Sequence, residues 1–452
     1  MIKRMIIPVG LLSCVLAGGG YVTGAVAAGP SGEQVPPNAR VSAAALEEIF
    51  RNPPMATRPS CYWWWLNNLV DKEGITRDLE EFKAKGLGGV MLVCSGNWSA
   101  AAPPQRGPAL LSPEWRELYR HALKEASRLG LEVSVNFCAS GWTMGGPWIT
   151  PEFNGRWFVQ SEIALTGPQR FSGKLPLPDP RGGYKPPFML NVQASMNWPK
   201  DKMDYRDNAI VAVRETDKQA NSLGEERGKL LDAKSNRKDG WCFIKAAEVM
   251  EPTLVPWVSM PGDKAPLPSE VINLTDKVQP DGSLDWEVPE GRWVVIRTGH
   301  VATGAPLSCL LPEMAGALAV DWLNPDPVDI MFEHYGNILL EDAGLLVGKT
   351  LKYFHTDSYE DGYPNWTDRL LAKFREYRGY DPAPYTPVFT GRIIGSAEIS
   401  DRFLYDYRKT AADLFADGCY QRLQDRTHQH GMLTVCESAG PSWSGSCTSP
   451  RI

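Results

Sequence analysis

Beyond its first thirty residues the chain has no run of the roughly 18 apolar residues that a membrane-crossing helix needs, and no block of lysine and arginine fit to grip a nucleic-acid backbone. The formal net charge is −6, mildly acidic, which again argues against nucleic acid as a partner. Cysteines are few and scattered. There are nine in 452 residues, with no pair at C-x-x-C spacing, so a structural zinc site is not expected. Eight of them follow Cys14; an oxidising compartment would permit disulfides among them, but spacing alone pairs none.

Tryptophan, by contrast, is plentiful. The chain has 16, many beside Gly, Pro or Asn rather than inside apolar runs. Indole faces stack well on sugar rings and fill cores equally well, so the excess is a hint of carbohydrate and no more. At the N-terminus, Lys3 and Arg4 precede an apolar run from Met5 to Leu16, followed by small residues and Ala25-Val26-Ala27-Ala28. A charged start, an apolar stretch and an A-x-A-like cleavage site mark residues 1–28 as a secretory signal peptide. The competing reading is a lipoprotein signal, Leu11-Leu12-Ser13-Cys14, with a lipid anchor on Cys14. The expected location is secreted or periplasmic, with an outer-membrane lipoprotein as the alternative.

A polar leader with a short helix, Ala43 to Phe50, comes before an aromatic strand, Tyr62-Trp63-Trp64-Trp65, that runs into Asn67. A helix follows, for which Thr76 can serve as cap, and then Val90 to Cys94, a near-continuous apolar run of the kind buried on both faces of a sheet. Ser112-Pro113 opens the next helix, with Ser at the cap and Pro at the first position. Leu131 to Phe137 is a third strand, leading through Asn136 into the Gly-rich loop that holds Trp142. Strand alternating with helix is the rhythm of a parallel α/β fold. Residues 155–345 break that rhythm with short β-like runs at 209–213, 270–274 and 292–297, separated by Pro/Gly turns; an inserted β-rich domain, sandwich-like, is expected there. Helical patterning returns near Val328 to Leu340, and later over Leu370 to Tyr377 and, as one long helix, from Ser400 to His430. Strands four and five are expected at Leu351 and Met432.

Strand four ends in the most chemically loaded stretch of the chain. Thr356-Asp357-Ser358-Tyr359-Glu360-Asp361 places three carboxylates within five residues, just past a β-like run. An acidic solvated loop is the plainer reading. At the C-terminal mouth of a parallel barrel, however, this is where acid–base residues stand. Strand five also closes on a carboxylate, Glu437. His355 reads as a strand histidine with its hydrogen bonds met, and Asp321 as a helix cap or interdomain contact.

Several blocks together resemble glycoside hydrolase family 106, the bacterial α-L-rhamnosidases: Tyr62 to Trp65 with Gly74-Ile75-Thr76-Arg77-Asp78-Leu79, Gly88-Gly89-Val90, Gly141-Trp142 with Gly145 to Trp148, Thr356 to Glu360, Tyr377 to Asp381, and Glu437. The resemblance implies a (β/α)8 TIM-type barrel with β-sandwich domains, and inverting hydrolysis of terminal α-L-rhamnosides with calcium as cofactor. It divides the chain into 29–154 (strands 1–3), the insertion 155–345, and 346–452 (strands 4–5), with the barrel apparently truncated after about five strands. It implies Glu360 as general acid, its pKa raised by burial against Tyr359, and Glu437 either as its acid–base partner or as a calcium ligand. Substrate contacts are expected from Asp357, Asn67, Trp64, Asn136 and Trp142. The alternatives are a non-catalytic carbohydrate-binding surface protein and an inactive fragment.

Overall fold

The computed structural model describes residues 42–96, 105–141, 143–179, 203–215, 221–235, 253–307, 311–357, 359 and 365–437. Two units are distinguished, residues up to Pro54 and residues from Met55 onward. The described part of the first holds one helix, α1 (Ala43–Arg51), whose Ser42 side chain accepts from the Ala45 N–H.

In the second unit, β1 (Ser60–Leu66) begins a parallel sheet. Burial alternates strictly along it: Trp63 and Trp65 are buried, while Tyr62, Trp64 and Leu66 on the other face are exposed. Two helices cover the Trp63/Trp65 side. α2 (Lys72–Ala84) is capped by Asp71, which accepts from the Gly74 N–H at 2.7 Å, so the cap lies five residues before the expected Thr76; Thr76 instead meets the His121 ring within the helix face. After β2 (Gly89–Ser95), α3 (Pro113–Leu129) starts as the sequence predicts, with the Ser112 hydroxyl accepting from the Trp115 N–H, and ends on Gly130 at φ 64°, a left-handed cap that glycine takes without Cβ strain. Trp115 stacks on Tyr119 and meets Trp65 at 6.0 Å in a tilted-edge contact; Trp63 meets Phe82 of α2. With Trp63 set edge-on to Trp65, these five aromatic rings make one continuous layer of core.

β3 (Glu132–Asn136) pairs with β2 and leads to a short pair, β4 (Gly145–Gly146) with β9 (Leu318–Ala319). A Cβ on Gly145 would lie 2.2 Å from the Leu318 carbonyl oxygen, so glycine is required there by close approach of two backbones. Between these elements lies an antiparallel sheet built from two long strands, β5 (Arg156–Lys174) and β8 (Ser283–Ala302), with β6 (Arg206–Arg214) and β7 (Ile272–Asn273), in the order β5–β8–β6–β7. The described part of the insertion is thus one antiparallel sheet; a second, facing sheet that would make a sandwich is not among the described residues. Its core, with Ile210, Ala212, Leu284, Trp286 and Val295, is separate from the core of the parallel sheet.

The chain then returns to the parallel sheet with β10 (Leu351–Thr356) and β11 (Leu433–Cys436), giving the order β1–β2–β3–β10–β11, all pairs parallel. The helix expected at Val328 to Leu340 is interrupted by a wider turn at Phe332–Gly336. The one expected from Ser400 to His430 is two helices, Ala397–Phe415 and Gln421–His428, broken at Gly418, where a Cβ would meet the Trp322 and Leu323 backbone at 3.1 Å. In a flat sheet, four strand steps would hold β1 and β11 about 19 Å apart. Yet the Tyr62 hydroxyl of β1 lies 3.3 Å from Glu437 just past β11, so the sheet curls toward the Tyr62 face.

A buried polar network ties the antiparallel sheet to the segment following β10. Arg156, fully buried, binds Asp204; Arg206 binds Asp204 and Asp368; Asp368 also meets His300 at 2.6 Å. Within it Asp321 accepts from Thr367 and from the Leu323 N–H, so its role is to join loops rather than to cap a helix. Burial pushes the Asp321 carboxyl up to about 7, against the lowering effect of its hydrogen bonds.

Two outcomes follow from this packing. Truncating Trp65 to Ala removes a fully buried indole from the aromatic layer and is expected to cost about 3–5 kcal/mol in denaturant unfolding. A raised folded-state pKa at Asp321 stabilises the fold below the unfolded value and loses that contribution as pH rises through about 7. Wild type is therefore expected to lose roughly 2–4 kcal/mol between pH 4 and pH 8 relative to Asp321→Asn, measured by urea unfolding across that range.

Candidate functional site

A parallel sheet brings the ends of all its strands to one edge, so residues far apart in sequence gather there. Asn67 follows β1, Asn136 ends β3, Asp357 follows β10 and Glu437 follows β11. The strand register fixes the alternation: Trp64 is paired with Val93, and His355 with both Asn136 and Val435. Tyr62, Trp64, His355, Asp357 and Glu437 therefore stand on one face, opposite α2 and α3.

The centre of this face is Tyr62. Its ring stacks on Trp64 at 5.6 Å and 19°, and its edge meets His355 at 5.6 Å and 75°. Its hydroxyl donates toward Glu437 Oε2. Partial burial first, and then the charges of Asp357 and Glu437, push the phenol pKa up, so Tyr62 stays protonated and acts as a donor. Tyr62 was not among the residues expected to bind; period-2 alternation from Trp64, two positions on, is the signal that would have found it. Trp64 is 39% exposed on this face, whereas Trp63 and Trp65 lie in the core behind it. The edge thus has the make-up of a sugar site: an aromatic platform beside carboxylates.

The other expected contacts fall out differently. Asn67 is buried at φ 50°, its backbone N–H donating to the Ser95 carbonyl and its own carbonyl accepting from Gly107, so it holds the β1 and β2 ends together. Asn136 is buried with its carboxamide oxygen accepting from the Cys138 N–H and its NH2 donating to the Gly141 carbonyl. It shapes the turn from Cys138 to Gly141. Asp357 is buried at the edge, 3.7 Å from His355 Nε2, and Glu437 is exposed, with its backbone N–H on the Thr356 carbonyl. Glu360 and Trp142 lie outside the described residues. Tyr359 buries its ring between Trp322 and Phe415, each met edge-on, in the core.

Calcium takes six to eight oxygen ligands. Among the described residues no group of three or more His, Cys, Asp or Glu stands close enough to hold a metal ion. Asp357 and Glu437 alone do not make such a site.

The curled parallel sheet thus carries carboxylates and exposed aromatics together on one face. The sequence matches the profile of the glycoside hydrolase 106 family, described as alpha-L-rhamnosidase, over residues 51–445, and the chain belongs to that family. The fold is similar to that of a rhamnosidase from Novosphingobium sp. PP1Y, with a TM-score of 0.66 and 27% identity, covering 87% of this chain and 47% of that one. A Formosa agariphila protein with the provisional name beta-glucuronidase is 32% identical over 398 residues, 88% of this chain and 30% of that protein. The chain thus spans less than half the length of each of these relatives.

Tyr62→Phe keeps the stacked ring and deletes the donor to Glu437. The bond it removes is made in the free chain, so the variant is expected to lose about 1 kcal/mol of stability, measured by urea unfolding beside wild type.

Proposed function

We propose that this chain carries the N-terminal part of the catalytic unit of a glycosidase that removes terminal α-L-rhamnosyl residues. The observation that carries the reading is the meeting of Tyr62, Asp357 and Glu437 at the C-terminal edge of the curled sheet, in a chain of this family. The finer fold is that of a (β/α)8 barrel's first five strands. Support comes from the stagger. Through the strand register Trp64 is level with Val435, and hence Leu66 with Glu437, yet it is Tyr62, four residues before Leu66, that meets Glu437. An offset of four residues over four strand steps is one per strand, the shear of a closed eight-stranded barrel.

In this reading Glu360 protonates the leaving glycosidic oxygen, and Glu437 is the carboxylate that activates water on the other face of the ring, as inversion requires of two carboxyl groups about 6.5–9.5 Å apart. The Tyr62 hydroxyl holds one Glu437 oxygen, leaving the other for the water. Trp64 and the Tyr62 ring offer the sugar a flat apolar wall. Calcium, should further donors complete a site beside Asp357 and Glu437, would orient sugar hydroxyls, and chelation tests for it. Export by the leader 1–28, or lipid attachment at Cys14, belongs to the same proposal and is read by N-terminal sequencing of the mature protein.

The test is release of chromophore from an aryl α-L-rhamnoside by the purified chain, with an aryl β-D-glucuronide alongside because of the Formosa relative's name. Rhamnoside cleavage is expected, falling on the order of 10²–10⁴-fold in Glu360→Gln. Cleavage of the glucuronide alone would overturn the choice of sugar. Binding of L-rhamnose without cleavage of either would leave a binding protein in place of an enzyme.

A further inference from the structure

His355 stands out on the site face as a buried group whose chemistry is unmet. Its side chain is 1% exposed, and among the described residues neither ring nitrogen has a hydrogen-bond partner. A buried polar group left unsatisfied costs about 1–3 kcal/mol, and such groups in native folds are few. The flanking strands offer it nothing. Asn136, level with it on β3, has both amide atoms in its own loop, and Val435, level on β11, is apolar. Tyr62 presses its ring against the imidazole and directs its hydroxyl to Glu437 instead. What faces Nε2 is Asp357 Oδ2, at 3.7 Å. That is roughly half an ångström beyond an N–H···O hydrogen bond.

We propose that His355 is a positioning residue for Asp357: its Nε2–H holds one carboxylate oxygen, so that the other is turned to the ligand at the sheet edge. This rests on the reading of that edge as the sugar site. In this arrangement a ring proton stands on Nε2, the nitrogen that faces Asp357 Oδ2. The Tyr62 ring keeps the imidazole from rotating away. A movement of roughly half an ångström at Asp357, which sits past the last strand residue and not within the ladder, closes the hydrogen bond when the ligand engages. The unmet polarity of the resting site is then relieved in the bound one, so the interaction adds to binding where it is needed.

Two measurements test this on the full chain. The first is the 15N spectrum of histidine-labelled protein, with the His355 signal assigned by its loss in His355→Gln. The free chain is expected to show the Nε2–H tautomer, and Asp357→Asn to abolish that preference while the other five histidines keep theirs. The second is rhamnoside hydrolysis. His355→Leu is expected to lose roughly 10–100-fold in kcat/KM, carried mainly by a raised KM, because the hydrogen bond to a charged group that it removes forms as the ligand engages. His355→Gln, whose amide nitrogen falls near Nε2, is expected to recover most of that loss. A tautomer indifferent to Asp357→Asn overturns the proposal, as do Leu and Gln variants that fall equally and in step with their melting temperatures. Absence of hydrolysis in wild type contradicts the glycosidase reading alone; the tautomer still decides the positioning role.

Discussion

Everything at the edge of the parallel sheet depends on which way β1 faces. A strand sends successive side chains to opposite sides, and a slip of one residue would exchange them all. The register is held by Trp63 and Trp65, whose indoles are buried against Phe82 of α2 and Trp115 of α3. Exposing either indole to water would cost more than any gain available on the other face, since full burial of a large apolar side chain is worth about 1.5–3 kcal/mol. With those two fixed inward to the helices, Tyr62 and Trp64 are forced onto the opposite face, where they meet His355, Asp357 and Glu437. A core requirement thus builds the face that we propose holds the ligand.

The second constraint is the curl of the sheet. Tyr62 and Glu437 belong to strands at its two ends, and only curvature with stagger lets them touch. Partial burial, and then the two carboxylates that gather at the edge, raise the phenol's pKa and make it a dependable donor. The antiparallel sheet inserted between β3 and β10 contributes at a distance. Its Arg156, Arg206 and His300 pair with Asp204 and Asp368, and thereby fix the segment that returns from the β10 loop.

Much of the fold was legible in the sequence because the five parallel strands are short, apolar and punctuated by Gly, Ser–Pro and polar ends. What escaped had physical reasons. β5 and β8 run for 19 and 20 residues through Pro168, Pro289 and Gly291, which read locally as turns but sit at an irregularity in the register of one long pair. Gly418 breaks a helix that periodicity alone continues, because the Trp322–Leu323 backbone passes too close for a side chain. Asp71 takes the cap from Thr76 because Thr76 falls within the helix, where its hydroxyl meets His121. At the site, Trp64 was visible from the alternation, but Tyr62 was hidden by its louder neighbours. Asn136 looks like a sugar-binding group in sequence, yet its carboxamide is engaged by Cys138 and Gly141 of its own loop, while Asn67 ties the β1 end to Ser95 and Gly107 through its backbone.

The central claim is that the Tyr62 face at the sheet's C-terminal edge is where sugar is held. The most direct measurement is calorimetric titration of L-rhamnose into the full chain and into the double variant Asp357→Ala/Glu437→Ala, with melting curves for both. The account predicts saturable binding to wild type and none to an equally stable double variant. Equal affinity in the two would place the sugar elsewhere and contradict it.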